Sequence, residues 1–401
     1  MYCFLSWNKR SAFLATKKIR KLKETTRQLV WGMSGGRCEK AGCNRLLYES
    51  SITHTSLNEG QIAHIIPVSD NGPRGEFFSI GDRDEAENLM LLCAQCHKEI
   101  DSRPDLYPAN SLKRMKQEHE ERIRYLTSIT RDRECLTVIY FASIEKDFTC
   151  KNTVAEIQQA LADIQHYSSY EHQLDISTNF EGVKDGESMK EKALSLERLF
   201  EQRVKPFINQ EKLPIAVFAL APIPLLIKLG TMFPTGTRLM PFLKLRCFHH
   251  GGSSWQYDLD QDNACPFLII NPRQTHPENG IGLVLETTDF IDQNRIDEVV
   301  KNEGSLDFWR VRHKYPSYDL ICSEAVINYW VKVIMQVMNT IRMVYGQKPV
   351  HVFPSINNAF AIMVGVARVA KTDSEWIIYD NVRISDSKSR FVPSLSIGGN
   401  T

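Results

Sequence analysis

Short runs of consecutive apolar residues, separated by stretches with helical spacing, fill the last two thirds of the chain. LTVIYFAS (136–143), rich in β-branched and aromatic residues, predicts a buried strand, and TVAEIQQALADIQHY (153–167) has the period of an amphipathic helix. The unit recurs. MKEKALSLERLFEQRV predicts a helix, PIAVFALA (214–221) a strand, and PIPLLIKLG (222–230) a short helix opened by proline. Further strands are predicted at 239–248, 265–270, 281–286 and 306–312, then the longest helix at 319–345. PVHVFP (349–354), NNAFAIMVGVARVA (357–370) and EWIIYD (375–380) repeat strand, helix and strand. Strands alternating with helices predict a largely parallel sheet covered by helices, hence an α/β class for 134–401. The beginning has another texture. Residues 9–30 carry no Gly or Pro and predict a basic helix ending near Gly32, and ANSLKRMKQEHEERIRYLTSI predicts a long polar helix from Asn110 or Ser111. The change in texture sets two domains, 1–133 and 134–401.

Composition adds limits. At 401 residues the chain exceeds one average core, and 42% hydrophobic with 24% charged residues is ordinary for a globular protein. The formal net charge of +1 hides a local excess of positive residues. Lys9, Arg10, Lys17, Lys18, Arg20, Lys21, Lys23 and Arg27 face the single acid Glu24, so Lys17, Lys18 and Lys21 are candidates for phosphate contacts, with a solvated helix face as the plain alternative. No apolar run reaches the ~18 residues that span a bilayer, and the start lacks a secretory pattern, so a cytoplasmic protein is expected. Ten cysteines in that compartment point to metal ligands and buried thiols before disulfides.

The chemistry concentrates between Arg37 and Asp101. Cys38 and Cys43 form one pair and Cys93 and Cys96 a tighter CxxC pair, two short loops able to offer four thiolates to one structural Zn²⁺. Cysteines 3, 135, 150, 247, 265 and 322 show no such pairing and are expected as small buried hydrophobes. Between the pairs stand His64 in AHIIP and Asn88 in ENLMLLC, and His97 follows Cys96. A one-metal phosphodiesterase needs an imidazole base, a divalent ion to hold the scissile phosphate, and a polar group to orient the base. His64 as base, His97 as metal ligand and Asn88 as orienter meet these needs.

These residues resemble the HNH endonuclease family, whose zinc-stapled ββα-metal module places a His at the end of a strand, an Asn in the loop and a His on the helix. The resemblance covers about 37–101. Many members carry an acidic residue or His just before the first His, where this chain has Ala63. Asp101, four residues after His97 and on the same helical face, is the first candidate for the second ligand, with Asp70 and Asp84 behind it. Few N and O ligands suit Mg²⁺ or Mn²⁺.

The rest of the chain holds no P-loop, nucleophile triad or GxGxxG. Ligands of open α/β sheets bind beyond the carboxyl ends of strands at a switch in strand order, here near Tyr140–Ser143, Ala221–Pro224, and His351, Pro354, Ser355 and Asn357. HVFPSINNAFAIMVGVA followed by WIIYD resembles the SAVED domain, a cyclic-oligonucleotide sensor, which implies two Rossmann-like halves. A cyclic nucleotide needs aromatic faces for bases and cations or N–H groups for phosphates. Tyr140, Arg246, Trp255, Trp309, His351, Ser355 and Asn357, with Arg310 and Arg312, are candidates by type; a core role is the alternative for each aromatic.

HNH fused to SAVED resembles the effector nucleases of bacterial cyclic-oligonucleotide (CBASS) anti-phage signalling. The resemblance implies a cyclic di- or trinucleotide activator, a ligand-promoted homo-oligomer, and cleavage of double-stranded DNA with little sequence preference. Two rivals are a restriction-type HNH endonuclease whose C-terminal domain reads specific or modified DNA, and a non-enzymatic zinc-stapled DNA-binding or sensor protein.

Overall fold

Local sequence decides most elements in the same way throughout: apolar runs become buried strands and amphipathic periods become helices against them. The computed structural model describes residues 22–50, 52–67, 83–142, 154–177, 186–210, 212–245, 254–259, 267–271, 275–276, 278–301, 304–320, 323–385 and 388–398. The chain divides into two units, 1–128 and 129–401.

The first unit contains helix α1 (Glu24–Met33), strand β1 (Gly60–His64), strand β2 (Leu89–Cys93), helix α2 (Ala94–Ser102) and helix α3 (Ala109–Thr127). β1 and β2 pair antiparallel, with Gly60 opposite Cys93 and His64 opposite Leu89. All five residues of β2 are buried, so it forms the centre of a small core with Val30, Leu47, Ile65, Ile66, Ile100 and Leu112. Gly60 is needed where it stands, because a Cβ there would lie 2.5 Å from the Trp31 ring. The expected helix over 9–30 is described only from Glu24, and it ends at Met33. Lys17, Lys18 and Lys21 lie outside the described residues, as do Asp70, Ser143 and Arg246.

The second unit opens with the short turn Arg131–Arg133, which joins it through a bridge of Glu134 to Tyr167 and the hydrogen bond from Cys135 N to Tyr167 O at 2.9 Å. Its elements follow as β3 (Leu136–Phe141), α4 (Val154–Asp163), β4 (Gln173–Asp175), α5 (Gly186–Leu199), α6 (Lys205–Gln210), β5 (Ile215–Leu220), α7 (Ile223–Thr231), β6 (Leu239–Pro241), β7 (Leu243–Lys244) and β8 (Trp255–Gln256). Then come β9 (Phe267–Ile270), β10 (Gly280–Glu286), α8 (Gln293–Val300), β11 (Leu306–His313), α9 (Glu324–Tyr345), β12 (Val350–Ser355), α10 (Asn358–Ala367), β13 (Trp376–Ser385) and β14 (Lys388–Ile397). Two larger sheets result. One is wholly parallel, in the order β4-β3-β5-β6; the other, β14-β13-β12-β10-β11-β9, is parallel at its centre and antiparallel at both edges.

Each sheet reverses its strand order once. β3 is followed by β4 on one side and β5 on the other; β10 is followed by β11 on one side and β12 on the other. The helices that follow the second member of each switch, α7 and α10, pack against each other through reciprocal glycines. A Cβ on Gly230 would sit 1.9 Å from Ile362 O and one on Gly365 2.0 Å from Ile227 O, so the two backbones touch.

Departures from the sequence expectations are local. The strand expected at 239–248 is two short strands, β6 and β7. The last helix ends at Ala367 because Arg368 turns out of it with φ −72° and ψ 125°. The strand expected at 375–380 runs on to Ser385 and pairs with β14, which the sequence did not announce. Pro393 in β14 reads as a strand breaker, but it sits opposite Tyr379 at a register shift, where a missing N–H is tolerated. Among the described residues no helix is long and apolar enough to cross a membrane.

Candidate nuclease and zinc sites

The four cysteines converge. The sulfurs of Cys38, Cys43, Cys93 and Cys96 lie within 4.8 Å of one another. The first pair is set by a tight knuckle in which Gly42 and Asn44 take positive φ (80° and 50°) and Cys43 N donates to Lys40 O. The second pair straddles the end of β2 and the first turn of α2, where the Cys93 sulfur accepts Cys96 N at 3.4 Å; Cys93 N in turn donates to the Cys38 sulfur at 3.4 Å. A tetrahedral Zn²⁺ with ~2.3 Å bonds needs sulfurs ~3.8 Å apart, and the Cys43 and Cys93 sulfurs are 4.0 Å apart. The donor set and spacing therefore fit a structural zinc. Burial pushes the Cys38 thiol up to about 11 and Cys96 higher still; burial also acts on Cys93, yet the Cys96 N–H and neighbouring thiols hold it below the usual thiol value. A dication would favour the thiolate at every one of them.

The knuckle is braced from both sides. Glu39 accepts Leu91 N at 2.5 Å and faces Lys116 of α3 at 4.0 Å. Lys40 pairs with Glu99 of α2 at 3.1 Å, and Tyr107 OH donates to the same carboxylate at 2.6 Å.

His64 closes β1, with its Nε2 3.0 Å from Asp84 Oδ1. Asn88 is buried and spent on backbone: its Oδ1 accepts Ile66 N at 2.9 Å, and its Nδ2 donates to Ile66 O and to Arg83 O, each at 2.9 Å. It thus pins the segment after His64 to the segment carrying Asp84. His97 lies on α2 beside the second cysteine pair. Its Nδ1 is 2.7 Å from Gln61 Oε1, and its Nε2 is 3.3 Å from Asp101 Oδ2 one turn along the helix. His97 and Asp101 can together offer nitrogen and oxygen to a small divalent ion. Asp84, read from sequence as a metal-ligand candidate, has its Oδ1 beside His64 Nε2 at 3.0 Å. The contact of Gln61 with His97 was missed, because Gln carries no metal signature and the contact depends on how α2 lies over β1.

In the second unit the candidates divide. Tyr140, Trp255 and Trp309 are 0%, 2% and 4% exposed, with Trp255 packed against Phe141 and Phe218. His351 is buried with its Nδ1 2.9 Å from Tyr379 OH. Asn357 caps α10, accepting Phe360 N and donating to Tyr318 O. These five side chains are core or capping groups in this structure. Ser355, at the end of β12, meets Thr288 across the β10/β12 switch at 3.0 Å, and its carbonyl accepts Thr287 N and Thr288 N. On the neighbouring strand Arg310 pairs with Glu286 at 2.7 Å and Arg312 lies over the Phe290 ring. Sequence reasoning missed Asn358, which donates to Ala219 O and Phe242 O and so ties α10 to the ends of the first sheet. It also missed Lys244, stacked over the Trp255 ring at 4.8 Å.

A hairpin and helix carrying four converging cysteines able to hold a metal and a paired histidine at each end, followed by two switched α/β sheets, has the make-up of a metal-dependent nuclease module joined to a ligand-binding fold. Two family models match accordingly: an HNH endonuclease domain at residues 43–103 and the SAVED domain, "SMODS-associated and fused to various effectors sensor domain", at residues 196–397. The second match takes in half of the chain, which belongs to the SAVED family and carries an HNH endonuclease domain ahead of it. No curated protein matches significantly. Among solved structures the chain is similar to the Cap4 SAVED/CARF-domain containing receptor of Acinetobacter baumannii with the cyclic trinucleotide 2'3'3'-cAAA (13% identity, TM-score 0.41, 75% of this chain and 59% of that one). It is also similar to that receptor with 3'3'3'-cAAA (14%, 0.40, 75% and 62%) and to its Moraxella osloensis counterpart (14%, 0.35, 75% and 60%). The chain spans about three fifths of the length of these receptors.

Proposed function

We propose that the chain is a ligand-switched DNA endonuclease, in which binding of a cyclic di- or trinucleotide to the SAVED domain turns on cleavage of double-stranded DNA with little sequence preference, in bacterial anti-phage (CBASS) defence. The observation that carries the reading is the pairing of His64 with Asp84 and of His97 with Asp101 on one zinc-stapled hairpin and helix, in a chain that continues into a sensor domain.

The chemistry follows from these pairs. Asp84 accepts the Nε2 proton of His64, which leaves Nδ1 with the lone pair and fixes the ring's tilt. His64 then takes a proton from the attacking water, while Asn88 holds the two backbone segments that set the distance between His64 and Asp84. His97 and Asp101 would hold Mg²⁺ or Mn²⁺, which supplies charge stabilisation to the scissile phosphate and the leaving oxygen. Cys38, Cys43, Cys93 and Cys96, holding Zn²⁺, keep the N-terminus of α2 and hence His97 in place. Lysines of the leading segment, Lys17, Lys18 and Lys21, would contact phosphates, which carry no base code, so binding weakens steeply with salt.

Control is a coupling between sites. The cyclic nucleotide activates by binding an assembled, cutting-competent homo-oligomer more tightly than the idle chain. Its site is placed at the strand switches of the sensor unit, with Ser355 and Thr288 at the β10/β12 switch and Lys244 near the end of the first sheet. The test is plasmid digestion with Mg²⁺ against a panel of cyclic di- and trinucleotides. Cutting that depends on one member of the panel is expected. Site-specific cutting without any ligand would favour the restriction-type endonuclease, and no cutting under any condition a non-enzymatic role.

A further inference from the structure

Ala63, the residue ahead of His64, carries no donor atom, so a divalent ion at the nuclease site depends on how His97 is presented. The two nitrogens of that ring have different neighbours: Gln61 Oε1 at 2.7 Å from Nδ1, and Asp101 Oδ2 at 3.3 Å from Nε2. A neutral imidazole carries one proton, and an amide oxygen can only accept. A cation that takes Nε2 and the Asp101 carboxylate leaves the ring proton to Nδ1, where Gln61 Oε1 stands ready to accept it. The alternation of β1 puts Gln61 and Ala63 on one face of the strand, and Gln61 is long enough to reach α2 from there. Gln61 is exposed and takes no part in the small core around β2.

We propose that Gln61 is a positioning residue for the catalytic metal: it fixes the tautomer and tilt of His97 so that Nε2 and Asp101 face one divalent cation. The proposal rests on the reading that His97 binds that ion. Groups that orient a metal-binding histidine through its second nitrogen are worth about 10- to 100-fold in metal affinity, and the acceptor role separates them from groups that merely pack.

The test uses full-length protein and Mn²⁺ titration followed by electron paramagnetic resonance, with His97→Ala, Gln61→Met and Gln61→Glu. Gln61→Met keeps the side-chain length without an acceptor and is expected to weaken Mn²⁺ binding about 10- to 100-fold. Gln61→Glu keeps the acceptor and is expected to bind within a few-fold of the parent or more tightly. Zinc content and melting temperature should be unchanged in both. In ¹⁵N-histidine-labelled, Mg²⁺-saturated protein near pH 8, the His97 resonance, identified by its loss in His97→Ala, should report the Nδ1–H tautomer in the parent and in Gln61→Glu, and a mixture in Gln61→Met. Parent-like Mn²⁺ affinity in Gln61→Met, or Gln61→Glu as weak as Gln61→Met, overturns the role of Gln61 alone. Parent-like binding in His97→Ala overturns both this role and the assignment of the ion to His97.

Discussion

In residues 22–128 the reactive groups lie on one hairpin and one helix over a small core, held by four sulfurs at one end. In residues 129–401 one large core cluster spans both sheets with smaller clusters beside it, and polar side chains such as Asn357 and Asn358 near the strand ends serve the backbone. The first unit is small for packing alone to hold its hairpin and helix, and a cluster of four cysteines able to bind a metal and a buried network around Glu39 brace it. The second can hold a rigid scaffold by packing and present only a few polar groups at its strand switches. In the second unit residue type is a poor guide to exposure, since Tyr140, Trp255 and Trp309 are buried in its core.

That contrast can be broken most directly at the sulfurs. Cys96→Ser, or zinc removal with a strong chelator, should unfold residues 22–128, abolish cleavage, and leave the sensor unit folded; two separate transitions in calorimetry check this, and a single shared transition would contradict it. His64→Ala should lower cleavage by at least ~10³-fold without moving either transition, and persistent cutting with metal present would remove His64 from the role of base. Gly365→Val should act on the other unit alone, destabilising it by more than ~3 kcal/mol because the α7–α10 backbones cannot separate without opening the core. Asp84→Asn should cost cleavage about 10- to 100-fold with little change in Mn²⁺ affinity, since it orients the base and leaves His97 untouched.

The smallest effect concerns acid stability of the sensor unit. Burial pushes the Asp307 carboxyl up, but the donors His276 N, Tyr345 OH and Asn279 Nδ2 at 2.7–2.8 Å outweigh it and hold it below the usual carboxylate range. A depressed folded value stabilises above the unfolded value, ~3.9, and that contribution fades as pH falls through the folded one. Asp307→Asn should therefore cost about 1–2 kcal/mol at neutral pH and progressively less below about pH 4, read as melting temperature against pH.

The sequence by itself determined the two-part layout, the alternation of strands and helices in the second part, the four cysteines and the order His64, Asn88, His97. Each is written in local signals: spacing of sulfurs, apolar runs, helical period. The tertiary structure decided what depends on residues far apart in the chain meeting. It brought helices α7 and α10 together through reciprocal glycines at Gly230 and Gly365, paired β14 with β13 despite Pro393, and gave Asp84 to His64 and Gln61 to His97. Periodicity assigns a side chain to a face, but only the packing of one element on another says which group stands across from it.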